Sequence, residues 1–187
     1  ISGAVMPTAL IPIADGSEDI ETVTLIDVLR RAGVEVTVAS VTGTPDIVAA
    51  RGTRIRADAL IDDVMAQDFD LIVLPGGMPG AKALADSKKL IDKLHGQRDS
   101  GRLYGAICAA PAVALAPHGL LDGVAATGHP AFTDALPDKS RMEERVVHDG
   151  QCLTSRGPGT ALEFALTLVE TLCGREKRDT VASPMVL

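Results

Sequence analysis

Residues 103–116 read Leu-Tyr-Gly-Ala-Ile-Cys-Ala-Ala-Pro-Ala-Val-Ala-Leu-Ala, which places Cys108 between a strand and a helix. Leu103 to Ile107 is a short apolar run with the length and composition of a buried strand. From Ala109 onward the chain is rich in alanine, and Pro111 fits a helix's first turn, where its missing N–H costs nothing. No run of glycine, serine or asparagine separates the two, so the chain must turn sharply at the cysteine itself. That geometry resembles a nucleophile elbow, in which a strained residue presents its side chain above a sheet. A thiol at a helix N-terminus is expected to have a lowered pKa, because the partial positive charge there favours thiolate. The competing reading is a buried cysteine serving as a small hydrophobe.

Outward from this turn, strands alternate with helices. Ala9 to Ile13 reads as a first strand, and a helix opens at Glu18-Asp-Ile-Glu. Acidic residues suit its first turn, Arg30 and Arg31 its last, and Gly33 its C-cap. Ile20, Val23, Leu25, Val28, Leu29 and Ala32 give it a broad apolar face. Val34 to Ser40 alternates and is β-branched, so the first 40 residues form a βαβ unit with parallel strands. Short strand-like pieces follow at Asp46–Ala49 and Arg54–Arg56. Asp70 to Pro75 reads as a central strand ending in Gly76-Gly77, and helical segments follow at about 80–86 and 87–100. Val124–Thr127 reads as another strand, ending at Gly128-His129-Pro130. Arg145–His148 and Cys152–Ser155 form a hairpin through Asp149-Gly150, a dipeptide that favours primed turns. A long helix runs from Gly159 to Cys173, stopped by Gly174, with a shorter one before Ser183-Pro184. No repeat or linker interrupts the series, so residues 1–187 are expected to form a single doubly wound α/β domain.

Composition narrows the function. The chain has 187 residues, 46% hydrophobic and 23% charged, with a net charge of −7. That charge argues against a nucleic-acid or anionic-membrane surface, and four aromatic residues leave little for base stacking. No apolar run reaches the length of a membrane span. The cysteines at 108, 152 and 173 are odd in number and widely spaced, as reduced thiols in the cytoplasm would be. The chain starts at Ile1 rather than Met, as a fragment or processed form would, so organellar targeting stays open. With neither a CxxC nor an HExxH motif, no metal site is expected.

In an open α/β sheet, ligands bind at the carboxyl ends of the strands. Four such ends carry unusual residues here: Glu18, Gly76-Gly77, Cys108 and His129. If all four strands are parallel, these residues meet at one edge. Glu18 is read either as a helix-N-terminal acid or as a carboxyl group exchanging a proton with Cys108. Gly76-Gly77 is read as a tight turn, or as N–H donors that with Ala109 form an oxyanion hole. His129 is the candidate base among four histidines, although a His-Pro turn can be purely structural. Cys152 and Cys173 read as packing or surface residues.

Glu18, the Leu74-Pro-Gly-Gly run, Ala106-Ile-Cys-Ala-Ala-Pro and Ser155-Arg-Gly-Pro-Gly-Thr, taken together and in this order, resemble the ThiJ/PfpI superfamily. The resemblance runs from about Ala9 to the end and is closest to the branch that holds a Parkinson-disease-associated protein deglycase. It implies a flavodoxin-like homodimer, with Cys108 as nucleophile and Glu18 as its protonated partner. It also implies Gly77 and Ala109 as backbone donors, His129 at the pocket's border, and Arg51 and Pro184 near a dimer-related site. The implied activity is conversion of methylglyoxal or glyoxal to lactate or glycolate without a cofactor, together with removal of early glycation adducts from proteins and amino acids.

The chemistry is consistent with the residues. Thiol addition to an aldehyde gives a hemithioacetal whose C–H is acidified by the adjacent ketone, and one carboxyl group suffices to move that proton. A Cys-His amidase or protease fits less well. Protease relatives place His directly after the cysteine, where this chain has Ala109. Amidotransferases have Gly-x-Cys-x-Gly, where this chain has Ala106 and Ala110. The stronger rival is a redox sensor or chaperone controlled by oxidation of Cys108 to a sulfinate.

Overall fold

The computed structural model describes residues 5–187; the first four residues of the expected 1–187 unit lie outside it. In chain order the elements are β1 (Thr8–Ile13), α1 (Asp19–Arg31), β2 (Glu35–Ser40), β3 (Asp46–Val48), β4 (Arg54–Arg56), β5 (Ala59–Leu60), β6 (Leu71–Leu74), α2 (Gly80–Asp86), α3 (Lys88–Asp99), β7 (Leu103–Ile107), β8 (Val146–Asp149), β9 (Cys152–Ser155), α4 (Ala161–Cys173) and α5 (Arg175–Ala182). Seven strands form one sheet in the order β5-β2-β1-β6-β7-β9-β8. All neighbours in it are parallel except β8 and β9, which form the expected antiparallel hairpin. β3 and β4 pair separately as a small antiparallel hairpin. This is the flavodoxin-like α/β architecture.

Alternation within the strands feeds two cores. Ala9, Ile11, Ile13, Leu71 and Val73 face a cluster completed by Leu25, Val28 and Leu29 of α1 and by Phe164 and Leu168 of α4. Leu10, Ile72, Leu74, Tyr104 and Ala106 face the opposite cluster, with Leu84 of α2 and Leu90 and Leu94 of α3. Helices therefore cover both faces, and the central strands read as unbroken apolar runs for that reason. β1 turns back through α1 to β2 on one side and is flanked by β6 on the other. The sheet's topological switch thus lies between β1 and β6, where such folds open a ligand crevice. Among the described residues, no helix is long and apolar enough to cross a membrane.

Three local expectations are corrected. Val124–Thr127 is not a strand: only an isolated bridge, Ala125 with Asp138, forms there. Side chains take its backbone donors instead, Asp149 accepting from the Ala125 N–H and Thr154 Oγ1 from that of Thr127. The alanine-rich run after Cys108 is not a regular α-helix. Pro111–Leu115 forms a wide turn in which the Ala116 N–H reaches back to the Pro111 carbonyl, and a tighter turn follows at Ala116–His118. Pro117 has no N–H to continue an α-helical ladder, and Gly119 ends the segment in the left-handed region. On α1, finally, Ile20 and Val23 do not join the core; they are 56% and 48% exposed.

Candidate active site

Cys108 follows directly on β7 and has φ 66°, a left-handed conformation in a residue with a Cβ. The sharp turn expected at this position is present. Holding an L-residue there costs about 1–2 kcal/mol, so Cys108→Gly is expected to be about 1 kcal/mol more stable than Cys108→Ala. Both variants lack the thiol, and their urea midpoints measure the difference; equal midpoints would mean that the elbow is unstrained. The turn is held from both sides. The Cys108 N–H donates to the Ser155 carbonyl at 3.0 Å, and its carbonyl accepts from the His129 N–H at 2.7 Å.

The acid beside the thiol is Glu21, not Glu18. Glu18 is the N-cap of α1, and its Oε2 accepts from the Glu21 N–H at 2.7 Å. That bond turns the Glu18 carboxylate back onto its own helix. Glu21, one turn further on, lies on the inward stripe with Leu25, Val28 and Leu29 and is fully buried. Its Oε1 accepts from the Gly76 N–H at 2.9 Å. Its carboxyl group interacts with the Cys108 thiol. That contact is looser than a formed hydrogen bond, since Glu21 Oε2 has no partner with full hydrogen-bond geometry.

The electrostatics follow from this burial. Desolvation raises the Glu21 carboxyl from its ordinary 4.5 to about 7; the Gly76 N–H and the thiol oppose the rise, and the Glu18 charge adds to it. Desolvation and then the neighbouring Glu21 charge push the Cys108 thiol up to about 12, against the opposing N–H groups of Ala109 and Gly77. The lowered thiol pKa expected from a helix N-terminus is therefore overturned. The following helical segment is short and irregular, and a second negative charge beside Glu21 is costly in a buried site. Near neutral pH the pair carries at most one negative charge. The first charge forms on Glu21, which the Gly76 donor favours, while the Gly77 and Ala109 donors favour charge on sulfur.

The remaining sites separate. The N–H groups of Gly77 and Ala109 favour charge on the Cys108 sulfur, whereas the Gly76 N–H is committed to Glu21 rather than to an oxyanion. His129 touches the elbow through its backbone. Its Nδ1 accepts from the Ala131 N–H at 3.1 Å and its ring meets Phe132 edge-on, and no hydrogen bond joins the imidazole to the thiol among the described residues. Arg51 is exposed in the β3–β4 loop, its N–H held by Asp19 Oδ1 at 2.8 Å. Pro184 is exposed beyond α5, in a shallow groove with Arg175 and Asp179. Cys152 is buried, as expected of a packing residue, and Cys173 is partly buried.

The model of the DJ-1/PfpI family matches residues 7–171. The chain belongs to that family. Among DJ-1/PfpI relatives, DJ-1 homolog B of Arabidopsis thaliana is 52% identical over 91% of this chain, which spans only 39% of that protein. A Caenorhabditis elegans protein named glutathione-independent glyoxalase DJR-1.2 is 40% identical, over 95% of this chain and 94% of its own length. The structure of oxidised DJ-1 from Toxoplasma gondii superposes with a TM-score of 0.94 at 44% identity, covering 96% of this chain and 98% of that one.

Glu21 had a signal in the sequence. An acid at the N-cap followed three residues later by a glutamate is a helix-start pattern, and residues 21, 25, 28 and 29 share one helical face.

Proposed function

We propose that this chain is a cofactor-independent glyoxalase acting on methylglyoxal, glyoxal and early glycation adducts, with Cys108 as nucleophile and Glu21 as the proton carrier. One observation carries the reading: the Glu21 carboxyl is fully buried beside the Cys108 thiol, where desolvation raises it to about 7 and the Gly77 and Ala109 N–H groups favour charge on sulfur. A carboxylate with that proton affinity is a far better base at neutral pH than an ordinary one. In the first step it takes the thiol proton as sulfur bonds to the aldehyde carbon, then returns it to the resulting alkoxide. The hemithioacetal C–H is then transferred through Glu21 to the neighbouring carbon, converting the adduct into a lactoyl thioester. Water cleaves the thioester, releasing lactate and restoring the thiol. The glyoxalase name of the 40% identical nematode relative supports this assignment.

The working unit is proposed to be a homodimer. Ile20 and Val23 on α1 and Val48 on β3 are large exposed apolar side chains. The Gly16 N–H to Val48 carbonyl bond, 2.9 Å, draws the β3 hairpin against the loop that leads into α1. A second copy covering that surface would bring a partner next to the Arg51 loop.

Lactate formation from methylglyoxal without glutathione or added metal tests the assignment. Wild type is expected to turn over and Cys108→Ala to be inactive; a folded wild-type protein forming no lactate would sink it. A second reading, peroxide sensing through oxidation of Cys108, draws support from the oxidised state of the Toxoplasma relative's structure. The same N–H donors would stabilise an oxidised, charged sulfur.

A further inference from the structure

We propose that Glu18 is a positioning residue: it locks the first turn of α1 onto the Gly76–Gly77 turn, and its negative charge governs when the Cys108–Glu21 pair gives up its proton. The inference rests on the reading of Cys108 and Glu21 as the working pair. Its ground is a set of bonds that all pass through one residue. The Glu18 N–H donates to the Gly76 carbonyl at 2.9 Å, and the Glu18 carboxylate accepts from the Glu21 N–H at 2.7 Å. Gly77 packs so closely on this residue that a Cβ there would lie 2.6 Å from the Glu18 nitrogen. Glu18 therefore fixes both the helix that carries Glu21 and the turn whose N–H groups address Glu21 and the sulfur.

The groups that face Glu21 set its charge. Cys108 reaches it from the end of β7 and Glu18 from the start of its own helix; each acts on the Glu21 carboxyl. The turn from Pro75 to Ala81 brings no ionisable side chain. On α4, which packs against α1, Glu163 and Glu170 are occupied by Arg145 and Arg178 at the surface. On the β3–β4 side, the Asp19 carboxylate is taken up by the Arg51 and Thr53 N–H groups, and Arg51 itself is exposed. Glu18 is thus the neighbouring carboxylate that opposes ionisation of Glu21.

Glu18→Gln tests the charge without removing the cap, because the amide oxygen can still accept from the Glu21 N–H. The measurement is the rate of iodoacetamide alkylation between pH 5 and 10, followed on the Cys108 peptide by mass spectrometry. Wild type is expected to show a step near pH 7, where Glu21 becomes a base. In Glu18→Gln the step should move to lower pH by about half a unit, the scale of one charge partly screened by solvent, with the melting temperature unchanged. Glu18→Ala should show the same displacement and a lower melting temperature, because the cap is also lost. An unshifted step in Glu18→Gln would overturn the proposal, as would a wild-type profile with no step near pH 7. The readout needs no aldehyde. A displaced step in a protein that forms no lactate would uphold the role of Glu18 while removing the glyoxalase assignment.

Discussion

Replacing Glu21 with glutamine is expected to reduce lactate formation from methylglyoxal by about 100- to 10,000-fold, the range for loss of a positioned proton carrier. The fold should survive, because a glutamine oxygen can still accept from the Gly76 N–H that now binds Glu21 Oε1. The variant loses the ability to take a proton from sulfur and to move one between carbons. Stability should change in the opposite sense at high pH. The folded protein holds the Glu21 proton up to about 7, while the unfolded chain releases it near 4.5. Between those values the folded state binds more protons, so wild-type stability falls as pH rises through that window. The full contribution is about 3 kcal/mol, present below pH 4.5 and lost above pH 7. Glutamine does not titrate, so Glu21→Gln should gain on wild type between pH 5 and pH 8 in urea melts. Normal turnover in Glu21→Gln would eliminate the proton-carrier role. A wild-type stability difference that ignores pH across this window would mean that Glu21 is not held protonated.

Much of this site was readable from the sequence because its elements announce themselves by local chemistry. The apolar strand before Cys108, the absence of loop residues after it and the Gly76-Gly77 pair together place a thiol at a strand end near a glycine turn. The parallel order of β1, β6 and β7 then brings those ends to one edge. The identity of the acid was hidden for a specific reason. Glu18, Asp19 and Glu21 lie within one helical turn, and composition alone does not say which caps the helix, which holds the Arg51 loop and which is buried. Only the register of α1 decides, and Ile20 and Val23 lie outside its buried face. Leu25, Val28 and Leu29 form that face, which puts Glu21 inward. The thiol pKa failed for a different reason. The helix dipole is weak without a regular helix and is opposed here by desolvation: Cys108 is followed by a proline-interrupted turn and is only 8% exposed. The segment around Val124 failed because its apolar residues carry no information about whether a neighbouring strand or the side chains of Asp149 and Thr154 will satisfy its backbone.

Gly76→Ala is the second large effect expected, and it tests whether the pocket depends on close approach at this turn. A Cβ there would lie 2.6 Å from the Cys108 Cβ, 2.7 Å from the Ile107 carbonyl oxygen and 2.9 Å from Glu21 Oε1. Two of these neighbours, the Ile107 carbonyl and the Cys108 Cβ, are fixed to the backbone of β7 and the elbow and cannot swing aside, and the third is a buried carboxyl held by the Gly76 N–H. The methyl group must push β6, the elbow or α1 outward, which costs about 3 kcal/mol at the upper end of ordinary overpacking. Any of those movements separates sulfur from carboxyl, and displacements of about 1 Å are enough to cost about 100-fold in rate. Gly43→Ala provides the comparison. Gly43 has φ +87° with no heavy atom within 4 Å of a new Cβ, so its cost is backbone strain alone, about 1–2 kcal/mol. The expected pattern is a lower urea midpoint in both variants, larger for Gly76→Ala, with turnover lost only there. Full activity in Gly76→Ala would show that the thiol and the acid tolerate separation. The close packing of Gly76 against both would then be incidental to the chemistry.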